Sequence, residues 1–160
     1  MVSAAARVVR CPNCQKNNRV PAAAEGRPKC GNCHHLLPWI ADADDASYAQ
    51  VVEKAGIPVL VDMWATWCGP CRMVSPALEK VATDLAGRIK LVKVDVDTSP
   101  QLSRRFDVKA VPTLLVTDRG VVIARQSGAA PAPVLRQWVD QALANRRPAD
   151  AGAPDSGGVS

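Results

Sequence analysis

Residues 58–73, PVLVDMWATWCGPCRM, decide the fold of this chain. The first eight are almost continuously apolar, a pattern typical of a strand that is buried on both faces. After CGPC, apolar residues recur at helical spacing up to Gly87: Val74, Leu78, Val81 and Leu85. The stretch therefore predicts a buried strand that runs directly into a helix, with Cys68 at the N-terminus of that helix.

Residues 38–145 continue this alternation of extended and helical patterns. In chain order, we expect an edge strand at 39–41, a helix within 44–56, the strand and helix just described, a strand at 89–97, a short helix at 99–106, a hairpin within 113–125 and a helix at 134–143. The resulting order β-α-β-α-β-α-β-β-α predicts an α/β domain with a mixed central sheet and helices on both faces.

Two segments of different composition flank this domain. Residues 1–37 are rich in Cys, Asn, Pro and Gly and show little apolar periodicity, so they need a staple such as a metal ion to fold. Residues 146–160, RRPADAGAPDSGGVS, have the composition of a disordered tail. The chain is therefore predicted to have three parts, with boundaries at 1–37, 38–145 and 146–160.

The net charge of +5 belongs entirely to the N-terminal part of the chain. Residues 1–40 contain six basic side chains and one acidic side chain, and such a basic stretch attracts nucleic acids or acidic proteins. The alternative is a solvated zinc module, in which bound thiolates would offset about two of the positive charges. Because the segment lacks interleaved aromatic residues that stack on bases, we favour the zinc module and expect no nucleic-acid partner.

The sequence shows no pattern of export or membrane insertion. The start, MVSAAARVVRCPNC, contains no apolar block of the length that a secretory signal requires. The longest apolar runs, near PVLVDMWA, are far shorter than a membrane span. We therefore expect a cytoplasmic protein with no membrane partner, in which six cysteines indicate metal binding or redox catalysis rather than structural disulfides.

The N-terminal part contains four cysteines in the pattern C-x2-C-x15-C-x2-C: Cys11, Cys14, Cys30 and Cys33. This spacing is typical of structural zinc sites, in which four soft ligands surround the ion tetrahedrally. We predict one Zn²⁺ on these four residues, the alternative being free or redox-active thiols. His34 and His35 follow directly, but four cysteines already complete the coordination, so we expect both histidines to be exposed neighbours.

The third pair, Cys68 and Cys71, differs from the other two. Pro70 removes one N–H that a zinc turn would offer to sulfur, and Cys68 lies where helix N–H groups and the helix dipole favour a thiolate. A thiolate attacks a disulfide, and a second cysteine one turn away can resolve the mixed disulfide. This pair therefore predicts redox chemistry rather than metal binding.

Two charged residues interrupt the apolar strands. A buried, unpaired Asp62 should have a raised pKa and could move a proton to and from Cys71. Lys93 lies in the next strand and would moderate Asp62 if the two strands are neighbours. From these residues alone, a solvated edge position for Asp62 and a strand-end position for Lys93 fit almost as well.

From Trp39 to about Ala144, the sequence resembles the thioredoxin family. The matching segments are VDMWATWCGPCR, the lysine of KVDVD, AVPTLLV, and SGAA before the last helix. The four N-terminal cysteines narrow the resemblance to bacterial thioredoxins that carry a zinc ribbon. Met63, where an aromatic residue is commoner, and Arg72, where Lys is frequent, depart from the family pattern without removing any reactive group.

The resemblance implies roles for the reactive residues. Cys68 would be the exposed nucleophile and Cys71 the resolving thiol, while Asp62 would be the buried proton-transfer acid and Lys93 its modulating partner. Further positions match family residues that tune the redox potential or meet the substrate: Gly69, Pro70, Trp64, Trp67, Val111, Pro112 (the family's cis-proline) and Gly128. Simple core packing is an alternative role for Trp64.

The resemblance also implies an activity: reduction of protein disulfides in the cytoplasm, without a bound organic cofactor. The expected partners are disulfide-bearing proteins and an NADPH-linked thioredoxin reductase, and we expect a monomer. An oxidase or isomerase would use the same thiols in the opposite direction. A zinc-dependent holdase or adaptor is a different alternative. A further hypothesis is that oxidation of the zinc thiolates ejects the metal and regulates the protein.

Overall fold

The computed structural model describes residues 6–24 and 26–146, so most of the predicted tail, residues 147–160, lies outside the described residues. No helix in these described ranges combines the length and apolar character needed to cross a membrane. The elements in chain order are β1 (Arg7–Arg10), β2 (Asn17–Val20), β3 (Ile40–Ala43), a π-helical turn (Ala49–Glu53), β4 (Val59–Trp64), α1 (Gly69–Asp84), β5 (Lys90–Asp95), α2 (Pro100–Arg105), β6 (Thr113–Asp118), β7 (Val121–Ser127) and α3 (Ala132–Ala144).

The five strands β3 to β7 form one mixed sheet in the order β3-β5-β4-β6-β7. Strands β3, β5 and β4 are parallel, while β6 is antiparallel to β4 and β7 is antiparallel to β6. The buried strand predicted from residues 58–65 is the central strand β4, and the strand predicted at 39–41 lies at the edge. The predicted mixed sheet and the predicted order of elements are confirmed.

Helical segments cover both faces of the sheet, as predicted. On one face, α1 and α3 pack over a cluster that includes Leu60, Leu91 and Leu114. On the other face, the π-helical turn and α2 pack over alternate residues of the same strands, among them the fully buried Met63. Since β4 is covered on both sides, its side chains face the interior whichever way they point.

The helix predicted within 44–56 is a single π-helical turn. Asp44 provides the expected acidic cap, because its Oδ1 accepts from the backbone N–H of Ala46 and Ser47. The turn then widens, with Lys54 N donating to Ala49 O at 3.0 Å, a spacing of five residues. The consecutive Val51 and Val52 are both fully buried, whereas a regular helix would carry them 100° apart on its surface.

The described residues of the four-cysteine segment, residues 1–37, pack against the sheet. β1 and β2 form a hairpin, and the apolar residues of this segment are buried together with Trp39 and Ile57 from outside it. Trp39 Nε1 donates to the Pro21 carbonyl at 2.8 Å. Gly87 has a φ of +83°, and Leu36 Cδ1 lies 2.6 Å from the place where a Cβ would stand, so glycine permits this close approach.

Candidate redox and metal sites

The four N-terminal cysteines come together in one cluster. Their sulfur atoms all lie within 4.8 Å of one another. Cys11 Sγ lies 3.6 Å from Cys33 Sγ, and Cys14 Sγ lies 3.5 Å from Cys30 Sγ. Four thiolates around Zn²⁺ at about 2.3 Å would stand about 3.8 Å apart, so the four residues fit a tetrahedral metal ion. His34 and His35 are exposed and do not belong to the cluster.

Amide groups surround these sulfurs. The backbone N–H of Asn13 donates to Cys11 Sγ, and that of Asn32 donates to Cys30 Sγ, both at 3.4 Å. The two asparagine side chains reach across the cluster: Asn13 Nδ2 donates to Cys33 Sγ at 3.4 Å and Asn32 Nδ2 to Cys14 Sγ at 3.5 Å. These cross contacts were not predicted, although the Asn at the third position of both CxxC turns could have indicated them.

These donors change the acidity of the thiols. Hydrogen bonding, first from the backbone N–H of Cys33, lowers the pKa of Cys30 to about 6 against the opposing effect of burial. The side chain of Asn13 is the main cause that lowers the pKa of Cys33. Burial instead raises the pKa of Cys11. A metal ion binds cysteine as thiolate, so a group with thiols of lowered pKa is prepared for such an ion.

The CGPC pair lies where the sequence predicts, at the start of α1. Cys68 is the N-cap residue with an extended backbone (φ −90°, ψ 111°), and Gly69 and Pro70 open the helix. The Cys71 backbone N–H donates to Cys68 Sγ at 3.1 Å. The two sulfurs are joined by a disulfide with a Cα–Cα distance of 5.3 Å. A thiolate at Cys68 would therefore receive one N–H bond and the favourable end of the helix dipole.

The expected exposure of Cys68 is not observed in this disulfide form. Cys68 and Cys71 are each only 3% exposed. Trp64 and Val111 pack against the small cluster that contains both cysteines, and Cys68 Sγ lies 3.5 Å from the Val111 carbonyl oxygen. Trp64 therefore makes the core-packing contacts that were the alternative role for this residue. The two cysteines are equally buried in the disulfide form.

Several predicted substrate-facing positions surround this pair. The Val111–Pro112 peptide bond is cis, and Gly128 N donates to the Pro112 carbonyl at 2.9 Å. Gly128 has a φ of +95°, with nothing within 4 Å of the place where a Cβ would stand. Trp67 is 68% exposed, and its Nε1 donates to Asp97 Oδ2 at 2.9 Å. Asp97, which orients this ring, was not predicted from the sequence.

Asp62 is buried in the centre of the sheet, so the alternative of a solvated edge is wrong. It is 2% exposed, and its Oδ1 has no hydrogen-bond partner among the described residues. Burial raises the pKa of Asp62 to about 6, with Lys93 acting to lower it and Glu79 to raise it. Asp62 lies opposite Lys93 in the β4–β5 register, as the interpretation of neighbouring strands required.

The Lys93 ammonium is held by residues of α1. Its Nζ donates to Glu79 Oε2 at 3.0 Å and to Ser75 Oγ. Neither partner was predicted from the sequence. Their signal was the spacing of Cys71, Ser75 and Glu79, which places them at i, i+4 and i+8 along one side of the helix.

Comparisons with known proteins agree with this architecture. A family model described as Thioredoxin matches residues 39–141. The chain is 36% identical to Thioredoxin C-3 of Corynebacterium nephridii over 139 residues, which cover 85% of this chain and 95% of that protein. It is 42% identical to a thioredoxin of Haemophilus influenzae, covering 61% of this chain and 92% of that protein. It is 47% identical to a thioredoxin of Mycobacterium bovis, covering 60% of this chain and 84% of that protein.

The first of these alignments reaches beyond the sheet domain. An alignment that covers 85% of this chain is too long to lie within residues 38–160 alone, so it extends into the four-cysteine segment. The other two alignments are short enough to lie within the part that the family model matches.

Proposed function

The chain belongs to the thioredoxin family and is a protein-disulfide reductase, and on that premise we propose that Cys68 and Cys71 are its redox pair and that the N-terminal cysteines hold zinc. One observation carries the assignment of the pair: a disulfide joins Cys68 to Cys71 at the N-terminus of α1, beside the cis Val111–Pro112 bond. This is the oxidised product of one round of disulfide reduction. The Cα atoms of the two cysteines lie 5.3 Å apart, within the usual range for a disulfide.

In the first step, the Cys68 thiolate attacks one sulfur of a substrate disulfide. The substrate S–S bond breaks, its other sulfur leaves as a thiolate, and a mixed disulfide joins Cys68 to the substrate. The Cys71 N–H group and the N-terminus of α1 stabilise negative charge on Cys68. An extended substrate segment would pair with the backbone beside Pro112, a mode of recognition that tolerates many sequences.

In the second step, Cys71 attacks the Cys68 sulfur and releases the second substrate thiol. The protein is then oxidised to the disulfide form and the substrate is reduced by two electrons and two protons. Cys71 must lose its proton before it attacks, and we assign Asp62 as the group that accepts it. Asp62 lies on the sheet face covered by α1, the helix that carries Cys71, and its raised pKa places it within reach of neutral pH.

Electrons must return from outside the chain to restore the dithiol. We propose an NADPH-linked reductase of the thioredoxin reductase kind as the donor, disulfide-bearing proteins as substrates and the cytoplasm as the compartment. The exposed Trp67 and the open space at Gly128 leave a surface beside the redox pair that both kinds of partner can share.

The proposed zinc ion would be held by Cys11, Cys14, Cys30 and Cys33. The donor set supports zinc, because four thiolates in close tetrahedral reach suit this ion. A four-coordinate ion leaves no position for a substrate, so its role would be to stabilise the N-terminal fold. The residues of this segment then act structurally, burying Trp39 and Ile57.

The assignment of the redox pair is tested with two variants, Cys68→Ser and Cys71→Ser, assayed on a disulfide-bonded test protein with an electron donor. Cys68→Ser should reduce turnover by more than about 100-fold, because serine is a far weaker nucleophile. Cys71→Ser should accumulate a mixed disulfide with the substrate through Cys68. Thiol counting and metal analysis of the native, reduced protein should find two reactive thiols and one zinc.

Unchanged turnover in Cys68→Ser would overturn the redox assignment and would favour a binding function of the adaptor kind. Metal bound by the CGPC thiols would overturn the division between the two sites. Zinc-free native protein with six reactive thiols would remove the metal proposal alone.

A further inference from the structure

Three charged residues lie side by side on the sheet face that α1 covers. Lys93 of β5 is in register with Asp62 of β4 on one side and with Asp42 of β3 on the other. Residues in register on parallel strands point to the same face. A lysine between two aspartates would ordinarily pair with one of them.

The Lys93 ammonium nevertheless pairs with neither aspartate. Within residues 6–24 and 26–146, its hydrogen bonds go to Glu79 Oε2, at 3.0 Å, and to Ser75 Oγ, both on α1. Asp42 is engaged instead by Arg7, whose Nη2 lies 3.0 Å from each carboxylate oxygen. Asp62 keeps an Oδ1 that has no hydrogen-bond partner in the described part of the chain.

The exposures of the three groups explain why this arrangement persists. The Glu79 side chain is 44% exposed and the Lys93 side chain 14% exposed, whereas Asp62 is 2% exposed. An ammonium loses less hydration when it pairs near the surface with Glu79 than when it follows Asp62 into the core. The α1 partners therefore hold the lysine outward, and no described residue forms a direct ion pair with the buried carboxyl.

We propose that Glu79 is a positioning residue for disulfide exchange, which holds the Lys93 ammonium, with Ser75, away from Asp62 and so keeps that carboxyl free to take up and release a proton. The inference rests on the proton-transfer role proposed above for Asp62. It adds Glu79 and Ser75, which touch neither the substrate nor the sulfurs, to the residues that set the rate.

Few other charged groups lie where they could change the protonation of Asp62. Among the described residues, the charged or titratable groups on this face are Lys93 and Asp95 from β5, Glu79 and Cys71 from α1, and the Asp42–Arg7 pair at β3. Asp95 Oδ1 accepts from the backbone N–H of Asp97, and Asp118, further along β6, pairs with Arg146. From β6, Asp62 meets the apolar Leu114. On α3, Arg136 pairs with Asp140 of the same helix and with Asp84 of α1. Glu79 is therefore the acidic group that acts on Asp62 through Lys93.

Loss of Glu79 should lower the pKa of Asp62 in two ways. Removing its negative charge removes a cause that raises the pKa of Asp62. Freeing the Lys93 ammonium lets it approach Asp62 and lower that pKa further. In Glu79→Gln we expect the titration midpoint of Asp62 to fall by about one pH unit, about a tenfold change in the ratio of protonated to ionised carboxyl.

The test is a carbon-13 NMR titration of the Asp62 carboxyl in the full chain, with the pH profile of disulfide reduction measured on the same samples. Asp62→Asn identifies the resonance. Glu79→Asp, which keeps the charge, should retain most of the wild-type midpoint, and Ser75→Ala should shift it in the same direction as Glu79→Gln but by less. Asp84→Asn removes a charge from the same helix, at a residue bound by Lys80 and Arg136, and should leave the midpoint in place.

The inference holds if the midpoint and the pH profile of the rate both move to lower pH in Glu79→Gln, with thermal unfolding near that of the wild type. A midpoint within about 0.3 pH units of wild type would overturn it, as would an equal shift in Asp84→Asn. A moved midpoint with an unmoved rate profile would also overturn it, because Glu79 would then position nothing that matters for exchange. Failure of the proposed function would look different, since the wild-type chain would itself reduce no disulfide.

Discussion

The four-cysteine cluster and the CGPC pair both use the CxxC spacing, but the hydrogen bonds to their sulfurs differ. In both N-terminal turns the third residue is Asn, and its backbone N–H donates to the first cysteine at 3.4 Å. In CGPC the third residue is Pro70, which has no N–H to give. Within the part of the chain that the structure describes, the N–H group donated to Cys68 Sγ is that of Cys71, at 3.1 Å. The residue at the third position therefore decides whether a CxxC turn offers its first sulfur an additional backbone N–H.

The residues around the two groups of sulfurs also differ. The cluster that the described residues form contains four cysteines and no carboxylate, with amide donors on several sides. A bound metal ion would hold these sulfurs as thiolates. The proposed redox pair lies instead at the N-terminus of α1, the helix that covers the sheet face holding the buried Asp62. Disulfide exchange needs a sulfur that gains and loses both a bond and a proton. A proton acceptor is thus useful at one site and useless at the other.

The largest expected effect comes from removing a sulfur from the cluster. In Cys30→Ser we expect the metal affinity to fall by more than the roughly 10- to 100-fold that loss of an outer partner causes. The turnover of disulfide reduction should stay within about twofold of wild type under conditions in which the protein is folded, because no catalytic contact is lost. Metal analysis and a turnover assay on the same preparation measure both quantities.

Cys68→Ser is the matched control, since it makes the same chemical change in the other site. It should retain the metal and lose turnover. The division of labour between the two sites would be broken if Cys30→Ser kept its metal, or if the two variants lost turnover to the same degree.

The next effect concerns Asp62, the group that distinguishes the redox region. In the disulfide form at pH 8, Asp62→Asn should raise the free energy of unfolding by up to about 3 kcal/mol, because the variant buries a neutral amide where the wild type buries a charge. Urea unfolding at pH 8 and pH 4 measures it. Asp107→Asn, at a carboxylate whose side chain is 76% exposed, should change stability by less than about 0.5 kcal/mol at both values.

The sign follows from the pKa of Asp62, which folding raises from 3.8 to about 6. The folded state therefore binds the proton more tightly than the unfolded state. This contribution to wild-type stability is fully present below pH 3.8 and is lost as the pH rises through about 6. The advantage of the variant should be largest above pH 6 and should vanish near pH 4; an advantage that persists at low pH would show that the charge is not its cause.

Most of the architecture could be predicted because its signals are local. The apolar run of β4, the helical spacing of α1 and the turn between β6 and β7 each fix one element, and the element order then limits the topology. The helix within 44–56 was predicted with the wrong period. Its cap and its buried residues are as expected, but the consecutive Val51 and Val52 are both buried in a wider π-helical turn.

The site could be predicted only as far as its residues lie within motifs. The six sulfurs sort by spacing and by the third residue of each CxxC turn. Glu79 and Ser75 belong to no motif and meet Lys93 only because α1 crosses β5 in the folded chain. Trp39 likewise contacts Pro21 and Lys90, which are distant from it in the sequence. Such contacts depend on tertiary packing, which periodicity does not encode.

A smaller effect tests the amide donors on the metal side of the comparison. In Asn32→Ala we expect a loss of metal affinity of about tenfold, at the lower end of the range for an outer partner, because the Nδ2 bond to Cys14 disappears while the backbone N–H bond to Cys30 remains. Competition with a chelator measures the affinity. Asn17→Ala, in the neighbouring β2, is the control and should leave the affinity unchanged.

If Asn32→Ala bound metal as tightly as wild type, the side-chain amide would not contribute to the cluster, and the contrast with CGPC would reduce to the backbone N–H of the third residue. A loss beyond about 100-fold would instead indicate that Asn32 holds the turn itself in place.

The smallest effect concerns how the cluster is attached to the sheet. Arg7 pairs with Asp42 on the edge strand β3, with side chains 35% and 60% exposed, and such surface pairs contribute about 0–1 kcal/mol. Arg7→Gln should therefore change the free energy of unfolding by less than about 1 kcal/mol and leave metal content unaltered. Trp39→Ala, which removes a buried ring that packs beside Cys11 and Cys30, should cost about 3–5 kcal/mol. Urea unfolding of both variants at low and high salt separates the two contributions. If Arg7→Gln proved the more damaging, the cluster would be held to the sheet by charge, whereas the structure shows it anchored by buried apolar contact.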